Sequence, residues 1–132
     1  MKGYVTNIGQ AVKGNDNFRQ VLYTGKFSQL VLMSLVPGEE IGEEVHETVD
    51  QFFRIDAGTG KVVIEGVEHE IGDGFAVVIS AGTKHNILNA STSEPLKLYT
   101  IYSPPNHQDQ VRYATKAEAE AAEEHFDGKT TE

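Results

Sequence analysis

From residue 18 to residue 103 the chain is a succession of short apolar or alternating runs, each closed by glycine or proline. Phe18 to Tyr23 reads as a strand that turns at Thr24, Gly25 and Lys26. Gln29 to Val36 is the most apolar run and stops at Pro37 and Gly38. Glu43 to His46 and Gln51 to Ile55 follow as short strands, and Lys61 to Glu65 with Glu68 to Ile71 forms a hairpin about Gly66. After a turn at residues 72–74 come Phe75 to Ile79, His85 to Asn89 and Leu96 to Tyr102, the last ended by Pro104 and Pro105. This spacing leaves no room for the helical crossovers that parallel strands require. The fold class is therefore all-β, an antiparallel sandwich or barrel over about residues 18–103. Only the tail differs. Thr115 and Glu118 form a capping-box pair opening an alanine- and glutamate-rich run, which predicts one C-terminal α-helix near 115–126, closed about Gly128.

The run 29–36 is apolar at successive positions, so both faces of that strand are expected to be buried, between sheets or against a partner chain. Alternation from an inward Gln51 turns Phe52 outward as well. Both features point to a homodimer.

With 132 residues the chain has the size of one domain, taken as 1–132. Its net charge of −9 sets it against phosphate backbones and anionic lipid surfaces, so neither nucleic acid nor membrane is an expected partner. There is no cysteine, so any bound metal must be held by nitrogen and oxygen donors. No apolar stretch suits a signal peptide or a membrane span, and the expected location is the cytoplasm.

Chemistry concentrates in two segments. The first carries Gly38, Glu44, His46, Gln51 and Gly58, with five, one, four and six residues between successive members. Residues 44 and 46 share one face of a strand, and a turn over 47–50 brings residue 51 up the neighbouring strand. In the second, five residues separate Gly74 from Ser80, then come Gly82, His85 and Asn89. A tight loop thus leads into a strand that begins with histidine.

These two segments resemble the paired motifs of the cupin superfamily, in particular small single-domain cupins of the mannose-6-phosphate isomerase-like kind. The first family motif runs glycine, His-x-His, glutamate, glycine at these spacings; the second runs glycine, Pro-x-Gly, histidine, asparagine. Three positions depart from it: Glu44 replaces the first histidine, Gln51 the glutamate and Ser80 the proline. The resemblance implies a double-stranded β-helix, or jelly roll, holding one divalent metal ion per chain on Glu44, His46, Gln51 and His85. Asp50 competes with Gln51, because the family spacing tolerates either. Two histidines with one carboxylate suit Fe(II) or Mn(II), with Zn(II) or Ni(II) as further options. A site in which Glu44 and Gln51 merely hydrogen-bond the two histidines is the competing reading. His69, His107 and His125 read as ordinary packed or surface residues.

If Gln51 and His85 face inward, Phe53, Ile55, Ile87 and Asn89 face inward with them and would line a mainly apolar substrate pocket. No cluster of arginine or lysine is expected there. Lys84 is the one neighbouring cation, and it should face away, which argues against a phosphorylated substrate. Two functions then stand. One is a metal-dependent enzyme of isomerase-like or oxygenase-like chemistry on a small oxygen-bearing metabolite, with Glu44 as ligand or base. The other is a non-catalytic module that binds or senses a sugar or similar metabolite.

Overall fold

A computed structural model describes residues 2–132. Nine strands form two antiparallel sheets. The larger has the order β6 (Ala76–Ile79), β3 (Asp50–Ala57), β8 (Leu96–Ser103), β2 (Gln29–Leu35), β1 (Arg19–Thr24) and β9 (Arg112–Tyr113). The smaller has the order β5 (Val67–Gly72), β4 (Thr59–Ile64) and β7 (His85–Asn89). Residues 40 and 44 extend the smaller sheet through single bridges, Glu40 to Leu88 and Glu44 to His85. The segment expected as a strand at 43–46 is therefore one bridge rather than a continuous ladder. Among the described residues no helix is long and apolar enough to cross a membrane.

Strand pairing places inward residues in rows. Val31, Thr100, Phe53 and Val77 lie side by side across four strands, as do Gln29, Tyr102, Gln51 and Ile79 in the row above. Met33, Leu35, Ile55, Leu96 and Leu98 continue inward with almost no exposed surface. Facing them from the smaller sheet are Val62, Ile71 and Ile87, and these residues belong to one core cluster. Burial of each such side chain contributes about 1.5–3 kcal/mol before chain entropy is charged against it.

The second face of β2 is covered by the chain itself. A short helix, α1 (Ile8–Lys13), packs across β2, β3 and β8 with Val12 fully buried. Its first turn is capped by Asn7, whose side chain accepts from the Gln10 N–H. Its other end is held by Lys97, which projects from the outer face of β8. The Lys97 Nζ donates to the carbonyls of Lys13 (3.0 Å) and Asn15 (2.8 Å) and to Asp16 Oδ1 (2.8 Å). Leu32, on that same outer face, is 3% exposed. The cover expected from an opposing sheet or a partner chain thus comes from a helix that precedes the strands.

The C-terminal helix α2 spans Lys116–Ala122 and is shorter than expected. Thr115 caps it by accepting from the Glu118 N–H at 3.2 Å, and Glu118 Oε2 accepts from Ala114 N at 3.0 Å. Glu123 then turns left-handed (φ 49°), and Glu124 returns to the barrel, where it meets His107 and the Gln108 N–H. That pull ends the helix well before Gly128.

Candidate metal centre

The site forms where the 40–46 segment pairs with the start of β7. Glu44 and His85 exchange both backbone hydrogen bonds, at 2.8 and 3.0 Å, so their side chains stand opposite on one face. His46 is two residues on and shares that face. Its carbonyl accepts from the Gly82 N–H at 2.8 Å. Gly82 has φ +83°, a conformation that glycine adopts at little cost. The glycine-rich loop that leads to His85 is thereby tied to the segment that carries His46.

One ligand atom each from Glu44, His46 and His85 lies within 4.8 Å of the others. The His46 and His85 rings are 5.6 Å apart between centroids. His85 Nδ1 is 2.9 Å from the Thr83 carbonyl, which fixes Nδ1 as the protonated nitrogen and leaves Nε2 bare toward the interior. His46 Nε2 lies 2.7 Å from Glu44 Oε2 but is not aligned for a hydrogen bond, and it is buried without a hydrogen-bond partner. Imidazole and carboxylate thus stand together, a pairing that either a proton or a divalent cation between them satisfies. Burial pushes the Glu44 carboxyl up, but the His46 imidazole, Arg19 and His85 outweigh that and hold it below its ordinary value.

Gln51 sits in the row beside Tyr102 and is 3% exposed. Its Nε2 donates to Thr100 Oγ1 at 3.0 Å, while its Oε1 is buried with no hydrogen-bond partner among the described residues. Asp50 is exposed, and its Oδ1 accepts from the Ala81 N–H at 2.8 Å. Between the two candidates, Gln51 is the interior residue, and Asp50 braces the loop from outside. A divalent ion fits this donor set: converging ligand atoms from Glu44, His46 and His85, together with a buried Gln51 Oε1 that has no hydrogen-bond partner among the described residues.

The cavity beside these residues differs from the apolar pocket expected. It has a volume of about 350 Å³, and its walls include Phe18, Arg19, Ile41, Glu44, His46 and His107. Helix α2 and the residues after it close one side through Lys116, Ala119, Glu120, Glu124 and His125. Phe53, Ile55 and Ile87 are instead core residues, each at most 1% exposed. The Phe53 ring lies 6.2 Å from that of His85. Asn89 is structural. Its Nδ2 donates to the carbonyls of Leu35 and Glu94, and its Oδ1 accepts from Ser91 N. Alternation gave the inward direction correctly but could not tell a packed interior from an open one.

The expected lack of cations is also corrected, because Arg19 and Lys116 both reach the cavity wall. Lys84 is exposed and turned toward Glu43, 3.9 Å away. His107, read as ordinary, joins a buried chain of polar groups. Its Nδ1 is 2.8 Å from Glu124 Oε1 and its Nε2 is 3.1 Å from the Tyr102 hydroxyl. The Tyr102 ring meets His46 edge-on at 5.9 Å, and burial raises its phenol well above the usual range. Arg19, His107 and Glu124 had no sequence signal: they stand far apart in the chain and outside both glycine-bounded segments.

Residues 31–102 match the Cupin domain family. Over 129 residues the chain is 46% identical to the uncharacterised protein YrkC of Bacillus subtilis (strain 168), covering 93% of this chain and 69% of that protein. The crystal structure of BH2720 from Bacillus halodurans superposes with a TM-score of 0.88 at 41% identity, covering 91% of this chain and 95% of that one. A predicted oxalate decarboxylase of Thermotoga maritima shares the fold alone, with a TM-score of 0.57 at 24% identity over 60% of this chain and 68% of that one. The two-sheet barrel, the glycine-bounded loops and the sequence match agree, and the chain belongs to the cupin family.

Proposed function

We propose that this cupin is a metal-dependent enzyme acting on a small oxygen-bearing metabolite, with one divalent ion held by Glu44, His46, Gln51 and His85. The observation that carries the reading is the convergence of ligand atoms from Glu44, His46 and His85, with Gln51 Oε1 buried and without a hydrogen-bond partner among the described residues. Two histidines and one carboxylate favour Fe(II) or Mn(II). When bound, such an ion supplies Lewis acidity toward a carbonyl or enol, or open positions for substrate and dioxygen. Glu44, kept ionised by its surroundings, can also take a proton from a substrate beside it. Phe53 and the core behind it keep water from the inner side of the ligands. The Tyr102 hydroxyl stays protonated and is oriented by His107, which Glu124 orients in turn.

A non-catalytic binding or sensing module is the second reading. One contact favours it: Glu44 and His46 already meet at 2.7 Å, as in a site that needs no ion. Elemental analysis of protein purified without added metal separates the two. Stoichiometric iron or manganese, lost in His46→Ala and His85→Ala but kept in His69→Ala, supports the enzyme. Protein that retains no divalent ion even after reloading overturns it.

A homodimer belongs to the same proposal, on changed grounds. Strand β2 is covered by α1, but Val78, Phe52, Ile101 and Leu30 lie in register across the outer face of the larger sheet, with Val78 69% exposed. Light scattering at tens of micromolar tests it, and a monomer mass rejects it.

A further inference from the structure

We propose that the cavity binds a small carboxylate anion between the metal centre and the guanidinium of Arg19, so that Arg19 determines the class of substrate. This rests on the metal-centre reading above and adds to it the chemistry of the second anchor.

The warrant is the state of Arg19. It enters from the first position of β1, at the open side of the barrel, and lines the same cavity as Glu44 and His46. Its Nε is buried, yet among the described residues it has no hydrogen-bond partner. The cavity's other charges are committed. Lys116 pairs with Glu120 at 3.7 Å, Glu124 with His107 at 2.8 Å, and Glu44 with the ligand cluster. Arg19 lowers the Glu44 and Glu124 carboxyls through space but makes no side-chain hydrogen bond or ion pair among the described residues, and a divalent ion on the neighbouring residues makes the cavity positive overall. A half-buried guanidinium whose Nε is shielded from water and unpaired gains from an anion that arrives to pair with it.

Its orientation is prepared as well. The guanidinium carbon lies 5.3 Å from the centre of the Phe18 ring, which supports the planar group through its face. A guanidinium held by its face presents its N–H edge, and a planar carboxylate matches that edge with two parallel hydrogen bonds. The second end of the same molecule then reaches the metal centre. A neutral sugar offers no charge to match Arg19 and would leave it unpaired. The cavity is of metabolite size rather than peptide size.

Calorimetry on manganese-loaded protein tests the proposal, with malonate, inorganic phosphate and 1,3-propanediol as probes. Malonate should bind, and the neutral diol should not. Arg19→Gln should weaken malonate by about 10- to 100-fold, the value of one charge-assisted pair, and Arg19→Lys should recover part of it. Manganese content and the melting curve should stay at wild-type values in both variants, which separates anion binding from loss of the fold or the ion. Arg19→Gln protein that binds malonate as tightly as wild type overturns the proposal and leaves the metal reading standing. Phosphate binding more tightly than malonate overturns the carboxylate assignment. Wild-type protein that cannot retain manganese overturns both readings together.

Discussion

Replacing Gln51 with leucine tests the centre of the site, because the structure gives that side chain two opposite debts. Its Oε1 is an unmet buried acceptor, which costs about 1–3 kcal/mol. Its Nε2 makes one neutral hydrogen bond to Thr100, which contributes about 0.5–1.5 kcal/mol. Leucine has similar bulk and removes both. The buried Thr100 Oγ1 loses its donor, which offsets that gain, so the metal-free Gln51→Leu protein should lie within about 2 kcal/mol of wild type, a mild outcome for a residue only 3% exposed. With metal the variant falls behind. If Oε1 is a ligand and its loss raises Kd tenfold, stabilisation by excess ion falls by about 1.4 kcal/mol. For a domain of this length that is a smaller metal-induced rise in Tm by about 4–7 °C. Thermal melts with and without manganese, at equal ion concentration, give both numbers. Equal metal-induced shifts in the two proteins would refute the ligand role. A metal-free loss beyond about 3 kcal/mol would refute the claim that Oε1 lacks a partner.

The buried pair of His107 and Glu124 sets the acid limb of stability. Burial holds His107 below its ordinary 6.5, although Glu124 pulls it upward. Burial raises Glu124, but His107 and the Gln108 N–H bring it below its ordinary 4.5. For both groups the unfolded chain takes the proton more readily, so stability is full above 6.5, declines as pH falls below that value, and declines again below 4.5. Urea unfolding should show the first decline flattened in His107→Gln and the second in Glu124→Gln; a wild-type profile level between about pH 7 and 5 rejects the assignment. Gly58 and Gly74 form a second contrast, with φ of +89° and +88°. A Cβ on Gly58 would lie 2.3 Å from the Pro95 carbonyl oxygen, whereas one on Gly74 meets nothing within 4 Å. Gly74→Ala should cost only the backbone strain, about 1–2 kcal/mol, and Gly58→Ala clearly more by chemical denaturation. Equal losses would show that the β3–β4 turn yields freely.

The strand order along the chain, the turns and the inward direction of Glu44, His46, Gln51 and His85 were legible in the sequence because they follow from local rules. Alternation has period two, glycine marks left-handed turns, and two residues on one strand face need no knowledge of the rest of the fold. The capped start of α2 was legible for the same reason. Tertiary structure decided which inward positions are solid and which are open. Phe53, Ile55, Ile87 and Asn89 share the alternation of the ligands, yet the opposing sheet packs against them, while the open side of the barrel falls at β1 and α2. It turned Gln51 rather than Asp50 to the interior, since adjacent residues of a strand differ only in which face the sheet buries. It placed α1 over β2, because a six-residue helix is stabilised by packing and by Lys97 rather than by its own propensity. Arg19, His107 and Glu124 came to one cavity for the same reason. Their sequence separation is spanned only when the sheet closes and the tail folds back, and no spacing rule acts over that distance.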